Sequence, residues 1–296
     1  MGQDWIDVTV KTSVDPAEVL SRLNDSGVCG AWQDGDILHF YWASSGWRPD
    51  CLVALRNVLA QLGHAVTDDA IAAGRMADRN WNEPWARAVQ PIRMGRVVIR
   101  PSWQPVKCQP DDIELIIDPK QAFGTGHHAT TQLLIEWLQE IIAGGETVVD
   151  LGTGSGILTM VALRLGAARA IGIDCDPVAI DCAFEYAQHN GFGTELLMRV
   201  GTADSMVELD RCAGGLVLAN LDRQAILDSV ATLAAYATRG ARLLLSGLLA
   251  DQLPEIGRAL AVEGLYVRTT REREGWLALD VVGASSCEDA PDEPAL

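Results

Sequence analysis

The run Val148-Val149-Asp150-Leu151-Gly152-Thr153-Gly154-Ser155-Gly156-Ile157 meets three glycines at the end of an apolar stretch. A helix-length segment follows, then Ala170-Ile171-Gly172-Ile173-Asp174, a second apolar run ending on an acid. Glycines let a backbone approach a ligand closely. A carboxylate at the end of the next strand accepts two hydrogen bonds from a ribose diol. Asp174 follows Gly156 by 18 residues, close to the ~20 residues of one β-α-β step. Gly152 and Asp174 are therefore candidates for holding a nucleoside cofactor.

The glycine pattern narrows the ligand. A dinucleotide turn is G-x-G-x-x-G, with a pyrophosphate on the helix N-terminus. Here the pattern is G-x-G-x-G, and Ile157 stands where the third dinucleotide glycine belongs. Asp150 sits just before the turn. An acid at a strand end repels phosphate and pairs with a cation. S-adenosylmethionine, with its ammonium and sulfonium, fits better than NAD.

Asn220 ends a further apolar run, Leu216-Val217-Leu218-Ala219. An amine nucleophile must aim a neutral lone pair at a methyl group. An amide oxygen and nearby carbonyls orient it without a strong base. Asn220 is thus the candidate for orienting the amine. Phe123 to Thr131 form a glycine-rich loop with His127 and His128, placed to close over the methionine end of the cofactor. One of the histidines as general base stays open, whereas adjacent histidines without a cysteine or carboxylate cluster are poor ligands for one ion, so no metal is expected. Asp204, after the third strand of the series, is placed to bond an adenine amino group.

These residues need a doubly wound sheet to hold them. The pattern predicts strands at 147–150, 170–174, 196–200, 215–219, 242–246, 265–270 and 276–282. Helices are expected over 130–142, 156–165, 177–189, 222–237 and 250–262. The last two strands follow without a helix, which predicts an antiparallel hairpin at the sheet edge. Upstream, strands are expected at 5–11, 28–34, 36–42 and 64–71, with helices opened by Asp15-Pro16 and over 50–62. That order, β-α-β-β-α-β, is a split β-α-β arrangement without a glycine-rich loop, so residues 1–71 read as a recognition domain. Residues 72–95 read as a linker with a short helix over 82–89. Residues 96–283 read as the catalytic domain, with strands near 96–100 and 113–117 ahead of the loop. Residues 284–296, acidic and without a basic side chain, read as a disordered tail.

The bulk numbers exclude several classes. The chain has 296 residues and no apolar run of the ~18 needed to span a membrane. The N-terminus lacks the basic and apolar segments of a signal peptide. Seven cysteines without a C-x-x-C pair predict reduced thiols in a cytoplasm. The net charge of −17 disfavours direct nucleic-acid recognition and favours a basic protein partner. Against that balance, seven basic residues lie between Arg75 and Lys107, facing solvent, RNA or an acidic partner.

With these residues assembled, the chain resembles the bacterial ribosomal protein L11 methyltransferase family (PrmA). The pieces that carry the resemblance are the Trp81-to-Trp85 segment, Pro101-Ser102-Trp103, Asp118-Pro119, Ala122-Phe123-Gly124-Thr125-Gly126 with His128 and Thr130-Thr131, the Gly152 turn, Asp174, Ala219-Asn220 and Leu245-Ser246-Gly247. The A-F-G-T-G-x-H-x-T-T block is far more specific than the glycine turn. The resemblance implies a doubly wound, seven-stranded class I methyltransferase (Rossmann-like) domain behind a small N-terminal α+β, ferredoxin-like domain. It implies S-adenosylmethionine bound at Thr131, Gly152, Asp174 and Asn220. It further implies N-methylation of lysine side chains or the N-terminal amine of ribosomal protein L11, free or on the ribosome. Departures such as Ala129 and Asp222-Arg223 bear on the protein substrate, not the cofactor. Another protein lysine, a small-molecule substrate or a non-catalytic binding module are the alternatives.

Overall fold

The structure is a computed structural model, and it describes residues 5–23, 27–44, 46–67, 70–76, 89–118, 124–202 and 215–283. The chain divides into two compact units, Met1–Trp81 and Asn82–Leu296. No helix among the described residues is long and apolar enough to cross a membrane.

The first unit is built from β1 (Trp5–Lys11), α1 (Pro16–Arg22), β2 (Val28–Asp34), β3 (Ile37–Ala43), α2 (Asp50–Gln61) and β4 (Ile71–Met76). The strands form one sheet in the order β2-β3-β1-β4, every pairing antiparallel. Strict alternation places Ile6, Val8 and Val10 of β1, with Leu38, Phe40 and Trp42 of β3, on one face. They pack against Val19 and Leu23 from α1 and its end, and against Leu55, Val58 and Leu59 of α2. Asp15 starts α1 by accepting the Ala17 N–H at 2.8 Å, with proline in the first turn.

One strand sits elsewhere than expected. Residues 64–67 are not a strand, because Gly63 at φ 82 and the His64 N–H on the Leu59 carbonyl close α2 there. β4 begins at Ile71, opposite Val10, and runs to Met76, opposite Trp5. Its Ala72, Ala73 and Gly74 hide it from a propensity reading. Residues 72–76, placed in the linker from the sequence, are thus strand.

The second unit opens with β5 (Ile92–Met94), β6 (Val97–Arg100) and β7 (Ile113–Ile116), a three-stranded sheet in that order. β5 also falls inside the expected linker. It turns into β6 at Gly95, φ 57, where a side chain would meet Gln139 Oε1 at 2.6 Å. Next come α3 (Ala129–Ile141), β8 (Thr147–Leu151), α4 (Ile157–Leu165), β9 (Arg169–Asp174), α5 (Pro177–His189), β10 (Leu196–Val200) and β11 (Leu216–Asn220). The unit closes with α6 (Arg223–Ala237), β12 (Arg242–Leu249), α7 (Leu253–Val262), β13 (Leu265–Arg273) and β14 (Trp276–Gly283).

The main sheet has seven strands in the order β10-β9-β8-β11-β12-β14-β13. β10 through β12 are parallel, and β14 inserts antiparallel between β12 and β13. Side chains alternate between two cores. Val148, Ala170, Leu218 and Leu244 face α3, α4 and the three-stranded sheet. Val149, Ile171, Val217 and Leu243 face α6 and α7. Both faces being covered, the ends of the strands are what remains for a ligand. The chain leaves β8 toward β9 on one side and later enters β11 on the other. This reversal opens a crevice beyond the carboxyl ends of β8 and β11.

Candidate functional site

Four expected residues lie along that crevice, and hydrogen bonds bring them together in two pairs of loops. The turn after β8 is fixed first. The Gly152 and Thr153 N–H groups both donate to the Ile173 carbonyl, at 2.8 and 3.0 Å. Gly152, Gly154 and Gly156 have φ of 69, 53 and 75, a region that side chains rarely enter. At Gly152 a Cβ would also stand 2.2 Å from Leu221 Cδ2, in the loop after β11. The glycine turn and the Asn220 loop therefore touch.

Asp174 ends β9, half-buried. Its Oδ2 accepts the Gly154 N–H at 2.9 Å and its Oδ1 accepts the Asp176 N–H at 3.0 Å. A carboxylate offers about four lone-pair sites. Two are used here, so two remain for a ribose diol, in a side chain already oriented by the glycine turn.

Asn220 ends β11 and pairs with Ser246 of β12. Its Nδ2 donates to Thr131 Oγ1 at 3.3 Å, across 89 residues of sequence. The amide oxygen is left as an acceptor. Thr131 lies in the first turn of α3 and is 1 % exposed. Ser155 Oγ donates to the Gly124 carbonyl at 2.7 Å, tying the glycine turn to the second glycine-rich loop. Gly126 packs so tightly that a Cβ would meet Ile99 Cδ1 at 2.7 Å. Asp174, Gly152, Thr131 and Asn220 thus border one crevice, linked by Gly154, Leu221, Ser155 and Gly124.

Asp150 differs from expectation. It does not present an open carboxylate to a cation. It is 0 % exposed, Thr153 Oγ1 donates to its Oδ2 at 2.7 Å, and Oδ1 has no hydrogen-bond partner among the described residues. Burial pushes its pKa up to about 7, the Thr153 bond opposes this, and nearby Asp174 adds to it. The cause of the arrangement is local: Gly172 on the neighbouring strand leaves room for Thr153, whose Oγ1 would otherwise be 2.8 Å from a Cβ.

The two histidines part company. His127 is exposed, with Nε2 2.7 Å from the Gln90 carbonyl. The His128 ring instead caps α3, with Nδ1 2.7 Å from Thr130 Oγ1. They do not converge on one point, and no group of three or more potential metal ligands occurs among the described residues. Asp204, Phe123, the Trp81-to-Trp85 segment and the tail lie outside the described residues.

Sequence reasoning missed the parts played by Ser155, Gly172, Leu221 and Gly247. Gly247 had the clearest signal, a glycine inside an apolar strand. β12 runs past the expected end at 246, with a register shift between Ser246 and Leu248. At Gly247, φ 91, a Cβ would lie 2.2 Å from the Leu221 carbonyl oxygen. That close approach seats the loop that follows Asn220.

Comparison with known proteins gives this arrangement a context. The family model described as ribosomal protein L11 methyltransferase (PrmA) matches residues 41–283. The chain is 40 % identical over 260 residues to the ribosomal protein L11 methyltransferase of Azotobacter vinelandii, covering 87 % of this chain and 85 % of that one. It is 38 % identical over 245 residues to the ribosomal protein L11 methyltransferase of Symbiobacterium thermophilum, covering 79 % of each. Among solved structures it is similar to the ribosomal protein L11 methylase of Lactobacillus delbrueckii subsp. bulgaricus, with a TM-score of 0.60 and 27 % identity, over 66 % of this chain and 99 % of that one. With a family model spanning most of its length and relatives well above 30 % identity, the chain belongs to the ribosomal protein L11 methyltransferase family.

Proposed function

We propose that this chain is a cytoplasmic, S-adenosylmethionine-dependent protein methyltransferase that N-methylates lysine side chains or the N-terminal amine of ribosomal protein L11. Family membership supplies the reaction class and the substrate. The observation that carries the site assignment is the Asn220–Thr131 bond of 3.3 Å beside the glycine turn that orients Asp174.

The residues present fit the cofactor. Asp174 keeps two acceptor sites for a ribose diol. In the turn, Ile157 stands where a dinucleotide turn needs its third glycine. When bound, the cofactor supplies an electrophilic methyl group on a sulfonium. Gly152 and Thr131 would border its methionine end, and Asp174 would hold its ribose.

The protein's part is to present the amine. The Asn220 amide oxygen accepts one amine N–H while Thr131 holds the amide from behind. Held this way, the amide oxygen would orient the amine lone pair for attack. A lysine has a pKa of about 10.4 in water, and a dry crevice lowers it. After transfer the product ammonium sheds its proton to solvent. The first unit, in our reading a ferredoxin-like recognition domain, holds the protein substrate, and its acidic side chains outnumber its basic ones, which suits a basic ribosomal protein.

Incubation of the purified chain with methyl-labelled S-adenosylmethionine and purified ribosomal protein L11 tests this. Label on lysine or the N-terminal amine of the ribosomal protein is the expected result. No label on the ribosomal protein, from a chain that binds S-adenosylmethionine, refutes the substrate.

A further inference from the structure

His128 is the residue of the glycine-rich loop that the reading above leaves without a role. We propose that His128 is a positioning residue, the uncharged N-cap of α3 that fixes the turn from which Thr131 orients the Asn220 amide. The inference rests on the proposed function for its catalytic consequence and on hydrogen-bond geometry for the cap itself.

His128 stands at the N-cap of α3 with extended backbone, φ −71 and ψ 140. Its Nδ1 receives the Thr130 N–H at 3.4 Å and lies 2.7 Å from Thr130 Oγ1. A backbone N–H only donates, so Nδ1 carries a lone pair and the ring proton sits on Nε2. The Thr130 hydroxyl, 2.7 Å away, then shares that one lone pair with the N–H. Ser, Thr, Asp and Asn are the usual N-caps, so a histidine here is a departure that asks for a reason. The ring supplies one: it stands edge-on to Trp276 of β14, with ring centroids 4.8 Å apart at 70°. The cap thereby anchors the start of α3 to the main sheet. α3 has no acidic residue in its first turn, and the imidazole answers the otherwise orphaned Thr130 N–H there. The next turn is clamped separately, with Arg273 of β13 donating to Gln132 and Glu136. Between the two anchors lies Thr131.

The neutral acceptor also separates His128 from the general-base role left open for the loop. The Nδ1 lone pair is already engaged by Thr130, and a proton on it would face the Thr130 N–H.

Two measurements on the full chain test the proposal. Long-range ¹⁵N–¹H spectra of histidine-labelled protein, without ligand, are expected to give His128 as the Nε2–H tautomer. An Nδ1–H signal overturns the cap. Second, His128→Asn, which keeps a capping oxygen, is compared with His128→Ala. The alanine variant is expected to lose about tenfold in kcat for the ribosomal protein at little change in KM, and the asparagine variant to recover to within about twofold of the parent. If His128→Asn is as slow as His128→Ala while both melt normally and bind S-adenosylmethionine normally by calorimetry, the imidazole acts in chemistry and the positioning role falls. Failure of the parent chain to bind S-adenosylmethionine would instead sink the proposed function, while the spectra still decide the cap.

Discussion

The two sheets of this protein solve opposite problems. In the first unit, β1 and β3 alternate buried and half-exposed side chains, and among the described residues the helices pack on one face. In the second, β8, β11 and β14 read as almost continuous buried runs, because helices cover both faces. A sheet covered on one side keeps a broad face for a macromolecule. A sheet covered on both sides exposes little but its strand ends, and those are where Gly152, Asp174 and Asn220 lie. The division of labour proposed here follows from that difference. Recognition belongs to a face, and chemistry belongs to a rim.

The comparison is broken most severely at the rim's backbone. Gly247→Ala places a Cβ 2.2 Å from the Leu221 carbonyl oxygen at φ 91. Strain and overpacking together should cost about 4 kcal/mol. The second unit should then melt early in calorimetry while the first keeps its own transition. A Gly247→Ala chain with parental melting would show that the close approach is dispensable.

The next effect is a pH dependence confined to the second unit. The folded-state pKa of Asp150 is raised from 3.8 to about 7. Between those values the folded chain binds the proton and the unfolded chain does not. Stability from this group is therefore full below about pH 4, falls as pH rises toward 7, and is level above. The full swing is about 4 kcal/mol at most. Asp150→Asn, which preserves an acceptor for Thr153, should remove that slope and leave the ligand-free protein relatively stronger at pH 8. Urea unfolding at pH 5 and pH 8 for both chains checks this. An unchanged slope in Asp150→Asn would assign the pH dependence elsewhere.

These two predictions also mark what was legible in the sequence. The succession of strands and helices along the catalytic unit, the glycine turn and the acid ending β9 were readable, because glycine spacing and apolar periodicity are local signals. Thr131 as a cofactor position was supplied by the resemblance to a family and not by spacing, and its bond to Asn220 was not legible at all. The burial of Asp150 was not readable, since it depends on Gly172 of another strand making room for Thr153. Neither was the contact of Leu221 with Gly152 and Gly247, which joins three loops far apart in sequence. β4 was misplaced because Ala72, Ala73 and Gly74 have weak strand preference, and only pairing with β1 settles its position.

A smaller effect couples cofactor binding to folding. Asp174 already accepts two backbone N–H groups, so Asp174→Ala loosens the glycine turn as well as losing the ribose acceptor. Each bond to the charged acceptor is worth about 1.5–3 kcal/mol. Titration calorimetry should show S-adenosylmethionine affinity down by about a hundredfold or more, with the melting temperature lowered by several degrees as the two backbone bonds are lost. Unchanged affinity would remove Asp174 from the site.

The smallest effect on stability, and the sharpest on the comparison, is expected in the first unit. On the face turned away from α1 and α2, Trp32 stacks on His39 with centroids 5.0 Å apart, and His39 on Tyr41 at 6.2 Å. Trp32 Nε1 donates to the Tyr41 hydroxyl at 2.6 Å, and both Asp7 oxygens lie 3.1 Å from His39 Nδ1. These side chains are half-buried and stand outside the core. Removing one cross-strand aromatic pair on a sheet face costs about 1 kcal/mol or less. Trp32→Ala should therefore melt close to the parent and bind S-adenosylmethionine with parental affinity. Its KM for the ribosomal protein should nevertheless rise, since a flat aromatic face with an acid beside it is suited to a lysine-rich surface. Were methylation of the ribosomal protein by Trp32→Ala unchanged in both kcat and KM, this face would not read the substrate. The contrast between a recognition face and a catalytic rim would then need another surface of the first unit.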